Sequence, residues 1–398
     1  MGERKEEKPT FIRLTKDLLK LLVGAELEFE DVELEFDELE LRIEPSSITA
    51  IPRIAPPEKK SAKLLELQYV PPKQDYTSRI VEVKLGATRA EGGTRSRSVV
   101  IGGETVPAYH LFQSSMPHPP VIAFDVFDTP KVSLPGAVRR HVQEVREDPA
   151  AWAKLCVEKF HAQMINLHLI SIDPLIENTT PEKATKTVEA VLQAVDVPIA
   201  VGGCGDPAKD LQVFQEVAET TAGERILFNS VTLDMDIEKT ANLIKKYDHT
   251  VIAFTSMDIN RARELNRKLY EYLPREQIVM DTTTAALGYG LDYGFTVMER
   301  ARLAALKGDP ELQHPISSGT TNAWAAREAW MTLEPKWEPK ELRGPLWETT
   351  TALTLLLAGV DYFMMMHPAA ARAIQEIIEA AANPSKGDEP VDWVTLRI

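Results

Sequence analysis

The chain reads as an α/β protein: a TIM (β/α)8 barrel with an N-terminal accessory region of helix, short strands and β-ribbon. Three features predict the barrel. Eight short apolar stretches recur at 121–126, 164–170, 198–201, 225–228, 250–254, 277–280, 315–317 and 361–366. Segments of helical period separate them. Each stretch runs into small or polar residues at its C-terminal end, such as Gly202-Gly203-Cys204-Gly205, Asn229-Ser230 and Asp281-Thr282-Thr283-Thr284. Strands alternating with helices make a parallel sheet, and eight such units close it into a barrel. An open doubly wound sheet is the alternative arrangement.

The individual elements follow in chain order. Residues 8–23 carry one amphipathic helix, with Phe11, Leu14, Leu18, Leu21 and Leu22 along one stripe. From 27 to 43 apolar residues alternate with Glu or Asp, and the phase slips at Asp31 and at Asp37-Glu38. That pattern predicts short, half-buried strands joined by tight turns, with an acidic face. A proline-rich linker (Pro45, Pro52, Pro56, Pro57, Pro71, Pro72) precedes a β-ribbon of 79–85 and 95–100 around Gly92-Gly93. Within the barrel, Thr180-Pro181 and Asp206-Pro207 each place a capping residue before a first-turn proline, and Asp236 caps another helix. Further helices are expected at 149–161, 257–272, 290–306, 321–333 and 369–382, with an extra one at 346–358. The domain reading is an accessory or docking region at 1–114, a barrel at 115–383, and a tail at 384–398 whose Trp393 packs back on a surface.

Composition narrows the function. The formal charge of −15 argues against nucleic acid, whose binding is driven by Lys and Arg. No window has the ~18 consecutive apolar residues of a membrane span. The charged start, Met1 to Lys8, lacks the apolar core of a signal peptide. The expectation is a cytoplasmic protein with no membrane partner. There are 2 cysteines, Cys156 and Cys204, read as thiols of a reducing compartment. An iron–sulfur cluster takes four thiolates, so this chain by itself is not expected to hold one.

In a barrel of this kind ligands sit at the C-terminal ends of the strands. The ionisable residues there are Asp128, Asp173, Asp281, His168 and His367. No strand ends in a Schiff-base lysine, and no His-His-carboxylate run suggests a metal. No catalytic residue and no metal ligand is therefore assigned. The mouth is rich in hydroxyls and small residues that suit a large, uncharged ligand needing many hydrogen bonds. Asn166 and His168 share one strand face and point either inward to a ligand or into a hydrogen-bonded core. Asp281 caps a turn or serves a site, and the Ser317-Ser318-Gly319-Thr320 run cradles a phosphate through backbone N–H groups or caps a helix beginning near Thr321. Cys204 has no cationic neighbour in sequence to activate it, and Met364-Met365-Met366 reads as core.

Several of these segments resemble one family. They are the Gly-rich run 201–207 (VGGCGDP), 281–290 (DTTTAALGYG), Met298-Glu299-Arg300, 317–322 (SSGTTN), 326–330 (AREAW) and the stretch from Pro345 to Met365. The ribbon residues Lys84-Leu85-Gly86 and Gly92-Gly93-Thr94-Arg95-Ser96 belong to the same likeness, and Thr282 stands where the family tends to have proline. The family is the small (delta) subunit of the corrinoid iron–sulfur protein, part of the acetyl-CoA decarbonylase/synthase complex of methanogenic archaea. The resemblance covers most of 83–366 and little of 1–75. It implies a barrel that forms a heterodimer with a large (gamma) subunit, which brings the iron–sulfur cluster, alongside the other subunits of the complex. It also implies a cobalamin-type corrinoid at the interface of the two. That corrinoid carries a methyl group between a methyl-tetrahydropterin and the acetyl-CoA synthase centre, in reversible acetyl-CoA cleavage and synthesis. The expected corrinoid contacts are Gly288, Tyr289, Gly290, Ser318, Gly319 and Thr320, with Asp281 and Thr283. Two other functions stand beside this one: a barrel methyltransferase binding the pterin directly through Asp128, Asn166, Asp281 and Asn229, and a scaffold subunit that maintains quaternary structure.

Overall fold

The computed structural model describes residues 74–382, apart from 109, 111–113 and 115. The expected helix at 8–23, the short strands at 27–43, the proline-rich linker to residue 72 and the tail with Trp393 lie outside the described residues. A two-stranded ribbon comes first, β1 (Val83–Leu85) paired antiparallel with β2 (Val99–Ile101). The barrel strands are β3 (Val121–Phe127), β4 (Met164–His168), β5 (Ile199–Gly202), β6 (Leu227–Val231), β7 (Thr250–Phe254), β8 (Ile278–Asp281), β9 (Ile316–Ser318) and β10 (Val360–Met365). They close in the order β10-β3-β4-β5-β6-β7-β8-β9, all parallel. The barrel predicted from the eight apolar stretches is the fold observed.

Its helices are α1 (Gly136–Val142), α2 (Pro149–Phe160), α3 (Pro181–Ala194), α4 (Pro207–Thr220), α5 (Ile237–Lys246), α6 (Ile259–Leu269), α7 (Leu291–Leu306), α8 (Lys340–Ala358) and α9 (Pro368–Ala382). Several starts are set by side-chain caps. Asp148, Asp206 and Asp258 each accept two backbone N–H bonds from the first turn of α2, α4 and α6. Thr180 and Asp236 each accept one, from Lys183 and Lys239. Such caps contribute ~1 kcal/mol each by satisfying donors that no helix can satisfy internally.

Because helices cover the outside and side chains fill the inside, the strands are buried on both faces. Val121 to Phe127 are buried throughout, as are Val360 to Met365. The ribbon fills the barrel's N-terminal end. Val83, Leu85 and Ile101 join the interior cluster of Val121, Ala123, Met164, Ala200, Leu227, Ile252 and Val279. The chain around it hydrogen-bonds to the loops that enter the strands: Val81 N–H to Gln313 O at 2.9 Å, Gly86 N–H to Arg225 O at 3.0 Å, and Ser96 N–H to Asp196 O at 2.8 Å. Gly86 is required there. Its φ is +73°, and a Cβ would lie 2.6 Å from Pro198 Cγ.

Three local expectations change. The ribbon ladder, Val83–Leu85 with Val99–Ile101, is shorter than 79–85 with 95–100, because Val81 N–H turns to Gln313 O and Ser96 N–H to Asp196 O. Residues 321–333 are not an α-helix but two 3-10 turns, Thr320–Ala325 and Arg327–Ala329, broken at the extended Ala326. At this break Trp324 packs against Gly344 and donates to the buried Glu348 at 3.0 Å. The helix expected at 346–358 accordingly begins earlier, at Lys340, and carries Pro345 in its second turn. The short α1 had no counterpart in the sequence reading.

Candidate functional site in the barrel mouth

Side chains alternate across a strand, so every second residue of each barrel strand faces the interior. At the N-terminal levels these are apolar, as the Ala123, Met164, Leu227, Ile252 and Val279 cluster shows. One or two steps further along the same faces stand Asp125, Asn166, His168, Asn229 and Asp281. Register brings them level: Asp125 pairs with Asn166, Gly202 with Asn229, and Phe254 with Asp281. With Phe127, Ser230, Thr284, Gly319, Thr321, Asn322 and Met364, most of these line a cavity of about 350 Å3 at the C-terminal end.

Two carboxylates organise it. Asp125, 2% exposed, accepts from Asn166 Nδ2 at 2.6 Å and from the Thr321 hydroxyl. His168 Nε2 lies 3.0 Å from the same Asp125 oxygen, and its ring stacks on Phe127 with centroids 5.0 Å apart. Asp281, 5% exposed, accepts from Thr283 N–H at 2.7 Å and from the Ser317 hydroxyl at 3.0 Å. Burial pushes the Asp281 carboxyl up to about 6, against those two donors, so it is an acceptor at neutral pH. No lysine or arginine lines the cavity. Among the described residues, no group of three or more His, Cys, Asp or Glu is placed to hold a metal.

The sequence candidates fall in different places. Asp281 and Gly319 line the cavity. Ser318 and Thr320 are fully buried, in a hydroxyl chain running Thr284 to Ser318 at 2.8 Å and Ser318 to Thr320 at 2.9 Å. That turn offers a ligand the Gly319 backbone rather than its hydroxyls. Thr283 sits at φ +75° with its hydroxyl on Thr255 O at 3.0 Å, which holds the loop after β8. Gly288, Tyr289 and Gly290 form an outer rim: Tyr289 is 71% exposed, and a Cβ at Gly288 would meet nothing within 4 Å.

Asp128 and Asp173 do not reach the cavity. Asp128 holds the N–H and hydroxyl of Ser171, and Asp173 caps the turn at Leu175. Cys204 donates to Asp210, and burial pushes its thiol up to about 11, so it is no nucleophile. His367 packs beside Trp324 and His141, and burial drives it down to about 4. The residue that the sequence reading passed over is Asp125. Its signal was available: counting by twos from Val121 places it on the inward face of its strand.

The fold and the mouth define the class: a closed parallel barrel whose C-terminal cavity, a candidate ligand site, presents hydrogen-bonding groups and two buried carboxylates and no lysine or arginine. A family profile described as "CO dehydrogenase/acetyl-CoA synthase delta subunit" matches residues 82–333. The acetyl-CoA decarbonylase/synthase complex subunit delta of Archaeoglobus fulgidus is 49% identical over 363 residues, 89% of this chain and 79% of that one. That of Methanothermobacter thermautotrophicus is 44% identical over 384 residues, 95% of this chain and 96% of that one. The chain belongs to the acetyl-CoA decarbonylase/synthase delta-subunit family. Among solved structures, a Xanthomonas albilineans dihydropteroate synthase aligns at TM-score 0.45 and 13% identity, covering 66% of this chain and 93% of that one. A similarity that weak has no bearing on function.

Proposed function

We propose that this subunit forms one wall of a corrinoid site completed by the gamma subunit, which carries the iron–sulfur cluster. The observation that carries the reading is where apolar side chains remain uncovered. Of the ten exposed large hydrophobic residues among the described ones, nine lie on the C-terminal-end connections or the helix turns just after them. They include Tyr289 and Tyr293 after β8, and Trp330, Trp337, Leu342 and Leu346 between β9 and the second turn of α8. Exposed apolar side chains concentrated at that end support the reading of a partner surface there. The chain's 2 cysteines leave the cluster to the partner.

The fit to a corrinoid is that of a lid over a rim. The ring with its amide arms is too large for the inner cavity. Gly319 and the 288–290 turn let backbone approach a flat face from beside the cavity: Gly288 is open where a Cβ would project, and at Gly319 a Cβ would meet only the Asn322 amide, at 3.6 Å. When bound, the corrinoid's cobalt supplies the methyl-carrying chemistry. The residues of this chain position it and keep water from its face.

The test is cobalt content and assembly of the co-expressed heterodimer. Gly319 has φ −74°, so Gly319→Trp fits its backbone, whereas Gly288 at φ +70° strains any side chain. Gly319→Trp is expected to lower cobalt retention at least tenfold with the dimer intact. Leu346→Asp is expected to dissolve the dimer. Unchanged cobalt in the first and an intact dimer in the second would overturn the reading.

A further inference from the structure

Leu357 is the exposed large hydrophobic residue, among the described ones, that the rim at the C-terminal end of the barrel leaves out. It is 47% exposed and stands one residue before the end of α8, at the barrel's N-terminal end. Leu353, four residues earlier, and the exposed Thr350 lie on the same helix face. We infer that this strip is a docking surface for residues 391–398 of the same chain, with Trp393 set against Leu357. Such docking goes beyond the corrinoid reading and does not depend on it.

The strip differs in chemistry from the other outer helix faces. A helix that meets only water carries charged residues on its outer face. The face of α6 does so, exposing Arg261, Glu264, Arg267 and Lys268. That of α8 does not: between Leu346 and Ala358 the one charged residue is Glu348, which is fully buried. The neighbouring α9 adds a second uncharged stripe, Ala373, Ile377 and Ala380, at helical spacings of four and three. In a chain of formal charge −15, this is apolar area that a covering segment removes from water.

Position, reach and composition select the occupant. Each helix of a parallel barrel returns to the N-terminal end, so α9, finishing at Ala382, delivers the chain where α8 also finishes and Leu357 stands. Residues 383–390 (NPSKGDEP) are a polar spacer, which at ~3.3 Å per residue extends to ~26 Å. Adjacent helix axes lie only ~8–10 Å apart, so the spacer is long enough to bring the following residues onto α8. Five of the eight residues 391–398 are apolar: Val391, Trp393, Val394, Leu396 and Ile398. They match a surface without charge. A segment tethered this closely also reaches the strip at a roughly millimolar effective concentration, ahead of a free partner.

The experiment is cross-linking in the full chain, in a Cys204→Ser background because the other cysteine, Cys156, is buried. Leu357→Cys is paired with Val394→Cys. The control pairs Val394→Cys with Lys245→Cys, an exposed position on α5 across the barrel. Mild oxidation is expected to link 357 to 394 within one chain at least tenfold faster than the control pair. With Leu357→Cys alone, deleting 391–398 should speed maleimide labelling of the thiol at least tenfold. Equal linking in the two pairs, or labelling unchanged by the deletion, would overturn the inference. Links formed only between two chains would make a second copy the occupant, and protection appearing only when the partner subunit is added would assign the strip to that partner. Either result also overturns it.

Discussion

The two ends of this barrel are finished in opposite ways. At the N-terminal end the chain seals itself: the ribbon inserts Val83, Leu85 and Ile101, and the space left beside Glu104 and Arg302 is only about 10 Å3. Even charge is enclosed there. Arg302, 3% exposed, bonds Glu104 at 3.1 Å and Asp361 at 2.5 Å, and Asp361 also takes Ile316 N–H at 2.7 Å. Burial, with Asp361 beside it, raises the Glu104 carboxyl well above the usual carboxylate range. At the C-terminal end the same strands stop at a cavity of about 350 Å3, and the connections that follow them carry uncovered aromatic and aliphatic side chains. One end closes on itself, and the other leaves a cavity and apolar side chains open to solvent.

That contrast is easiest to break at the sealed end. Arg302→Leu leaves two carboxyl groups buried without their cation, and a loss of ~3–5 kcal/mol is expected in denaturant unfolding. If it costs no more than Asp281→Asn in the mouth, the two ends do not differ as described. Gly86→Val comes next. A left-handed φ costs a branched residue ~1–3 kcal/mol before the overlap with Pro198 is counted, and the thermal midpoint reports it.

Glu348 sharpens the comparison, since it is a buried carboxyl on the mouth side. It accepts from Trp324 Nε1, Met366 N–H and His367 N–H, yet burial pushes it up to about 8. Its folded value lies above the unfolded one near 4.5. The stability it contributes is therefore fully present below pH 4.5 and is lost progressively as pH rises to 8. Relative to Glu348→Gln, the parent chain should lose up to ~1.4 kcal/mol per pH unit across that window. A flat difference would mean that Glu348 is not held neutral. The smallest effect belongs to the exposed rim: Trp337→Ala should change the stability of the isolated chain by no more than ~0.5 kcal/mol, while partner retention falls. A large loss of stability there would show that the aromatic rim serves the fold rather than a partner.

Most of the barrel was legible in the residues, because its signals are local. Strand stretches such as 250–254 and caps such as Asp206 before Pro207 act within a few residues of themselves. The 321–333 segment was misread for the opposite reason. Nothing nearby tells Trp324 to leave a helix; a glycine 20 positions away makes the slot it fills. The site was half legible on the same grounds. Asp281 stands at a strand end and draws the eye, whereas Asp125 lies inside an apolar run, and Asp128 looked eligible until Ser171 was seen to engage it.

What the amino-acid order determined by itself is the periodicity, and with it eight strands, their helices and the end of the barrel where ligands belong. Which inward residues share one cavity was decided by closure, because register between strands far apart in sequence brings Asp125 beside Asn166 and Phe254 beside Asp281. Local patterns fix which way a side chain points; only packing across the barrel fixes what it meets.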